Sequence, residues 1–479
     1  MSIPPGQAAV AAFLECLTGA APVETHISAI YVGADVALKM KKAVALGFLD
    51  FTALGARERF CRRELALNQP GAPALYRDVV PVTRAADGAL QLGGEGEVVE
   101  WVLRMAPLPP EAFLDALPEL SPALLDATAD AVAALHAAAP RRDGDAPAAM
   151  ERVISGNRAA GVAAGLHLTD WRPELLLYRL APKLRARVAA GFFRRCHGDL
   201  HLGNLCLIEG RPTPFDALEF DEDLATIDTG YDLAFLLMDL EHRHGRTAAN
   251  RVFNRYVGVA EDSGFFAALP LFLSLRAVIR AHVEARRGHD AGPYREAALG
   301  YLAPAPPRLV AIGGLQGSGK SHLARLIAPE IGAAPGALLL RTDEIRKRLH
   351  GVAPETRLPA EAYRPEVSAK VHETLFAQAA AALAAGHSVI ADAVWYDQAM
   401  RAAVEAVARV NGAHFAGLWL EAPLPVLHAR IGARRDDASD ADAAVLARTA
   451  MADSGPIAWH RLDATDAGLC NTALARVTS

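Results

Sequence analysis

The chain has 479 residues, 52% hydrophobic and 22% charged, with a formal net charge of -6 at pH 7. That length carries two or three domains with ample core, and the acidic balance argues against the basic footprint a nucleic-acid surface needs. Cys16, Cys61, Cys196, Cys206 and Cys470 lack Cys-x-x-Cys spacing, which fits a reducing cytoplasm and speaks against a zinc or disulfide framework.

The first 17 residues lack a basic stretch and read as an amphipathic helix rather than a signal peptide. Residues 23–44 alternate as two strands around a Gly33-Ala34-Asp35 turn, and Lys39 and Lys41 share a face because side chains alternate. Residues 51–68 read as an amphipathic helix, its Arg and Glu residues wetted and Phe60, Leu65 and Leu67 turned to a core. A second hairpin spans 79–83 and 96–105, a helix 121–138, and further helices reach 191. A strand leads into His197-Gly198-Asp199-Leu200-His201-Leu202-Gly203-Asn204. A short strand at 205–208 and a turn at Glu209-Gly210 follow, then Phe215-Asp216-Ala217-Leu218-Glu219-Phe220. Helices run from 231 to 287, and Pro-rich residues 303–307 form a linker. Beyond it strands at 308–312, 337–341, 388–392 and 414–420 alternate with helices, the pattern of a parallel sheet. The longest uncharged run, 374–391, is broken by Gln378 and Gly386-His387, so it reads as helix, turn and buried strand, not a membrane span.

Asp199 and Asn204 have the separation of the catalytic Asp and metal-binding Asn in the kinase pattern His-Arg-Asp, four residues, Asn. Asp216 stands where that pattern has a metal-binding Asp. Lys39, in Val36-Ala37-Leu38-Lys39, resembles the kinase lysine strand, with Glu64 as its partner and Lys41 as a competitor. Glu219, Asp221, Glu222 and Asp223 read as a solvated loop or as a seat for a cationic substrate. With HGDLHLGN, FDALEF and Tyr231-Asp232-Leu233-Ala234, residues 20–290 resemble the aminoglycoside phosphotransferase-like branch of the kinase fold. The resemblance implies Asp199 as catalytic base, Asn204 and Asp216 as Mg²⁺ ligands, Lys39 on the nucleotide phosphates oriented by Glu64, and Asp232 as a brace for the catalytic loop. The chain departs from the kinase pattern in having no Gly-x-Gly-x-x-Gly before Lys39, so residues 26–33 would have to cover the phosphates.

Gly314-Leu315-Gln316-Gly317-Ser318-Gly319-Lys320-Ser321 follows a buried strand and opens a helix. In such a loop backbone N–H groups and the helix N-terminus cradle phosphates. Gly314, Gly317, Ser318 and Gly319 build the cradle, Lys320 reaches the β/γ-phosphates and Ser321 ligates Mg²⁺. Two apolar strands end in Asp392 and Asp343, where ligands of open α/β sheets gather. Asp392 would hold Mg²⁺ through water. Asp343 would be a general base facing the acceptor, a helix N-cap, or both. Arg430, Arg434 and Arg435 crowd one helix side, as a lid that meets transferred phosphoryl charge would or as a solvated face. Arg346, Lys347 and Arg348 read as substrate-binding or as helix surface. With residues 341–346, VIADA (389–393) and RRDDASDA (434–441), this half resembles P-loop small-molecule kinases of the gluconate-kinase, polynucleotide-kinase and zeta-toxin group. By that resemblance 462–465 would seat the adenine.

The expectation is an α+β bilobal kinase-like domain over 1–302 joined to an α/β P-loop NTPase domain with a parallel sheet over 308–479. Together they form a bifunctional cytoplasmic phosphotransferase using ATP and Mg²⁺ on small hydroxylated acceptors. The alternative leaves only the P-loop domain active and makes the N-terminal domain a catalytically silent binding or regulatory module. Fold does not name the acceptor, and nothing read here sets the oligomeric state.

Overall fold

The computed structural model describes residues 2–46, 49–433, 439–440, 443–451 and 454–478. Two compact units emerge, one of Met1–Val153 with Ala181–Asp239, the other of Ile154–Leu180 with Leu240–Ser479.

The first unit holds a six-stranded antiparallel sheet in the order Val23–Glu24, Ser28–Val32, Ala37–Lys41, Glu97–Met105, Tyr76–Arg84, Leu90–Leu92. The hairpin sets Ile30 opposite Lys39. Leu38 and Met40 face a core of Tyr31, Val82, Val102 and the helix residues Val10 and Leu14. Ala37 packs with Leu103 and Met105, and the alternation puts Lys39 and Lys41 on that face.

Helix Leu54–Asn68 corrects the expectation for it. It buries Arg57, Cys61, Glu64 and Asn68, whereas Phe60, Leu65 and Leu67 are only half-buried. Polar groups can face inward here because each is partnered. Arg57 Nε lies 2.8 Å from Glu100 Oε1 and its Nη1 donates to the Phe51 and Thr52 carbonyls. Asn68 Oδ1 accepts from the Ala217 N–H at 2.8 Å. Glu100→Ala would leave the buried Arg57 charge uncompensated, so it should destabilise this unit by about 3–5 kcal/mol. Denaturant unfolding with Glu100→Gln alongside checks this, the amide variant losing less.

The second unit is built on five parallel strands in the order Leu338–Arg341, Val389–Asp392, Arg308–Gly314, His414–Glu421, His460–Asp463. The three central strands are almost wholly buried, because helices cover both faces of such a sheet. The core includes Val310, Ile312, Leu323, Ile327, Ile390 and Leu418. Strand His460–Asp463 and helix Leu469–Thr478 were not expected as elements. The strand is a mostly exposed edge without an apolar run to mark it. Register sets Asp392 beside both Ile312 and Arg341, so the phosphate loop and two strand ends converge. No helix among the described residues is long and apolar enough to cross a membrane.

Candidate active sites

In the first unit Lys39 Nζ lies 2.7 Å from Glu64 Oε1 and 2.6 Å from Asp216 Oδ1. Lys41 Nζ lies 2.8 Å from Glu64 Oε2 and pairs with Glu219. The two lysines therefore share one carboxylate. Burial works against the Lys39 charge, but Asp216 and Glu64 outweigh it and hold its pKa well above the ordinary lysine value. Glu219 is buried, not part of a solvated loop. Asp221 caps helix Glu222–Ala225, and Glu222 pairs with Arg63 and Arg195. Asp223 alone of the four acidic residues is exposed.

Asp199 is 42% exposed, open enough to meet an acceptor. Asn204 Nδ2 donates to the Asp199 carbonyl at 2.8 Å and to Asp199 Oδ2 at 3.0 Å. The amide oxygen is then the atom Asn204 offers a cation. It and the Asp216 carboxylate are hard-oxygen donors of the kind Mg²⁺ takes. The Asp232 carboxylate accepts the His197 and Gly198 N–H groups, each at 3.0 Å, and contacts His136 Nε2 at 3.2 Å, the brace implied for it.

Sequence reasoning assigned no role to His197. Its buried ring is pushed below the ordinary histidine range by desolvation, against the pull of Asp232, so it is neutral at pH 7. Nε2–H donates to the Phe215 carbonyl at 2.8 Å, and Nδ1 accepts the Asp199 N–H at 3.3 Å. One neutral tautomer thus ties the loop carrying Asp199 to the residue before Asp216. The His of HGD was the available signal.

In the second unit Gly314, Gly317 and Gly319 have φ of 135°, 83° and 90°. A Cβ on Gly314 would stand 2.5 Å from the Leu420 carbonyl oxygen and one on Gly317 2.6 Å from that of Leu427. Glycine is therefore required there by both conformation and contact. Lys320 Nζ donates to the Leu315 carbonyl at 2.9 Å, within its own loop. Ser318 is buried and its Oγ has no partner among the described residues, an orphan donor where phosphate oxygens would lie.

Ser321 Oγ donates to Asp392 Oδ2 at 2.5 Å, a second pair of hard-oxygen atoms fit for Mg²⁺. Arg341 Nη2 donates to Ser321 Oγ at 3.1 Å and Arg341 Nε lies 3.4 Å from Asp392 Oδ2. Arg341 is the functional neighbour the sequence left unassigned, since only strand register places it there.

A cavity of about 510 Å³ is lined by Lys320, Ser321, Asp343, Arg346, Asp392 and Arg430, among others. Helix Thr342–Leu349 has Arg341 at its N-cap, so Asp343 stands inside the first turn, not at the cap. Burial raises the Asp343 pKa, Arg341 opposes this and Asp392 adds to it. Arg430 reaches the Ser318 carbonyl at 3.5 Å and the Ala464 carbonyl at 2.9 Å, joining the phosphate loop to the segment expected to seat adenine. Arg434 and Arg435 lie outside the described residues.

Arg346 and Lys347 are not helix surface. Arg346 is buried, donates to the Ala362 carbonyl at 2.7 Å and lies over the Tyr363 ring at 4.7 Å. Lys347 is fully buried, 2.7 Å from Asp440 Oδ2. Arg348 donates to Gln378 Oε1 at 3.3 Å.

Residues 53–267 match the model of the phosphotransferase enzyme family, and residues 309–453 that of an AAA domain. An uncharacterized protein of Mycobacterium tuberculosis is 29% identical over 471 residues, covering 92% of this chain and 91% of its own. Among solved structures, a choline/ethanolamine kinase family protein from Mesorhizobium loti shares 13% identity, with 62% of this chain and 94% of that one covered and a TM-score of 0.36. A gluconokinase from Sinorhizobium meliloti shares 21% identity, with 36% and 92% covered and a TM-score of 0.25.

Proposed function

We propose that this chain, which matches the phosphotransferase enzyme family over residues 53–267 and an AAA domain over 309–453, is a bifunctional ATP-dependent phosphotransferase acting on small hydroxylated acceptors, an aminoglycoside phosphotransferase-like domain fused to a P-loop small-molecule kinase domain. The boundary we take, 303–307, lies in the gap between the family matches, which end at 267 and resume at 309, whereas the compact units divide after Asp239. The observation that carries the reading is the convergence of a glycine-bound phosphate loop, Lys320, the Ser321–Asp392 pair and Asp343 on one cavity.

ATP would supply the phosphoryl group, and Mg²⁺ would neutralise the charge that develops on it. In the second unit the loop amides and Lys320 bind phosphate, Ser321 and Asp392 hold the metal, and Arg430 answers transferred charge. Arg434 is assigned to the same role from its spacing. Asp343 takes the proton from the acceptor hydroxyl. In the first unit Lys39, fixed by Glu64, binds phosphate, while Asn204 and Asp216 hold the metal and Asp199 takes the acceptor proton. Carboxylate bases of this kind contribute roughly 10²–10⁴-fold.

The single-glycine turn ahead of Lys39 favours a second reading, in which the first domain is a silent module. ATP consumption by the full chain, run against sugars, aminoglycosides, choline and nucleosides with Asp199→Asn and Lys320→Ala singly and together, separates the two. We expect some acceptors to lose turnover with Asp199→Asn alone. Turnover that never depends on Asp199 refutes the bifunctional reading.

A further inference from the structure

Strand Leu338–Arg341 is an edge of the parallel sheet, and its outer side presents backbone groups that no sixth strand among the described residues meets. Helix Thr229–Ala260 supplies what that strand would. Asn254 Oδ1 accepts the Leu339 N–H at 2.7 Å, and Asn254 Nδ2 donates to the Ala337 carbonyl at 3.2 Å. One carboxamide thus takes a donor and gives to an acceptor two residues apart on the same strand, the pattern a neighbouring peptide group makes in a ladder. Asn250, 3% exposed, adds a second donor to the Ala337 carbonyl at 3.1 Å and accepts from Asn254 Nδ2 at 3.1 Å.

The docking is anchored on both sides. Phe253 and Phe266 hold the His387 ring at 5.0 and 4.9 Å between centroids, and Ser388, the next residue, gives its carbonyl to the Leu338 N–H at 2.9 Å. Arg246 Nη2 donates to the Gly332 carbonyl at 3.0 Å. These residues belong to the same compact unit as the P-loop sheet, although Asn250, Asn254 and Phe266 fall within the phosphotransferase-family match.

The clamped strand is the one that delivers chemistry. Arg341, at its end, touches Ser321 and Asp392, and Asp343 follows in the next turn. The phosphate loop hangs from a different strand, Arg308–Gly314. We propose that Asn254, supported by Asn250, is a positioning residue for the P-loop site, borrowed from the phosphotransferase-like domain to fix the strand that aims Arg341 and Asp343. The inference rests on the reading of that site as one of phosphoryl transfer. It means that the P-loop domain, cut at its own family boundary, lacks part of its active-site support.

The test uses the full chain carrying Asp199→Asn, with Mg²⁺-ATP turnover measured as the fraction that Lys320→Ala removes. Asn254→Leu keeps size and loses both hydrogen bonds to the strand segment together with those to Asn250. We expect kcat to fall roughly tenfold, as slight misplacement of catalytic groups does, with KM for ATP within about twofold because the loop strand is untouched. Asn254→Asp keeps the acceptor for Leu339 and loses the donor, so it should fall between, and it serves if the Leu variant does not fold. An unchanged kcat with only a lowered Tm overturns the inference, as does a KM that rises in step with the loss. Turnover that survives Lys320→Ala overturns instead the reading of the site, and the inference with it.

Discussion

Lys320→Ala should weaken one of the two ATP-binding events proposed for this chain by an order of magnitude or more. Titration with a non-hydrolysable ATP analogue should show two tight equivalents for the unchanged protein and one tight equivalent for the variant. The physical reason is local. The loop has its glycines in left-handed or otherwise positive-φ conformations, which turn successive amides toward a common point, an anion-binding nest. Lys320 opens the helix that follows, where the helix dipole already favours negative charge. Its ammonium bonds to the Leu315 carbonyl, so it is held over the loop it serves. A charge-assisted hydrogen bond is worth about 1.5–3 kcal/mol, and its loss alone weakens binding by roughly 10- to 150-fold. The Leu315 contact goes with it, which adds disorder of the loop. Glycine strain and sheet packing are untouched, so Tm should stay within a few degrees. Two equivalents bound at undiminished affinity would refute the assignment of this loop as a nucleotide site.

What the sequence shows of this molecule follows the range of each interaction. The phosphate loop was readable because strand, loop and helix are contiguous and the glycine requirement is local. Asp199 and Asn204 were readable for the same reason, five positions apart in one turn. Helix Leu54–Asn68 was read only in part, since Leu65 does pack on the core, because its most buried face is largely polar and its partners are remote. Arg57 meets Glu100 and Glu64 meets Lys39 and Lys41, at separations of 43, 25 and 23 residues. Hydrophobic periodicity cannot report a face that is satisfied by ion pairs. The Lys41–Glu219 pair spans 178 positions, so the first residue of a charge run that reads as solvated closes a buried network. Arg341 and Asn254 were invisible for a further reason. Their roles depend on strand order, and order in a parallel sheet is set by crossovers that no single segment encodes.

Asp343→Asn carries the other large effect, and its pH dependence separates chemistry from structure. Burial raises the Asp343 pKa, with Asp392 adding to the shift and Arg341 and Lys320 opposing it. A general base works when deprotonated, so turnover at this site should fall as pH drops through that raised pKa, on a limb above the ordinary carboxylate range near 4. The amide cannot take the acceptor proton. We expect turnover to drop by roughly 10²–10⁴-fold and the acidic limb to vanish from what remains.

Stability should move the other way. A carboxyl whose pKa is higher folded than unfolded favours the native state only below the unfolded value, and that contribution is lost as pH rises through the folded value. Wherever Asp343 is ionised, its charge is therefore a burden on the fold, held in a cavity beside Asp392. Asp343→Asn should melt at a temperature equal to or above that of the unchanged chain at pH 7, and the difference should shrink toward pH 4. A variant that loses turnover and melts lower at pH 7 would place Asp343 among the structural residues. One that keeps turnover would remove it from the reaction.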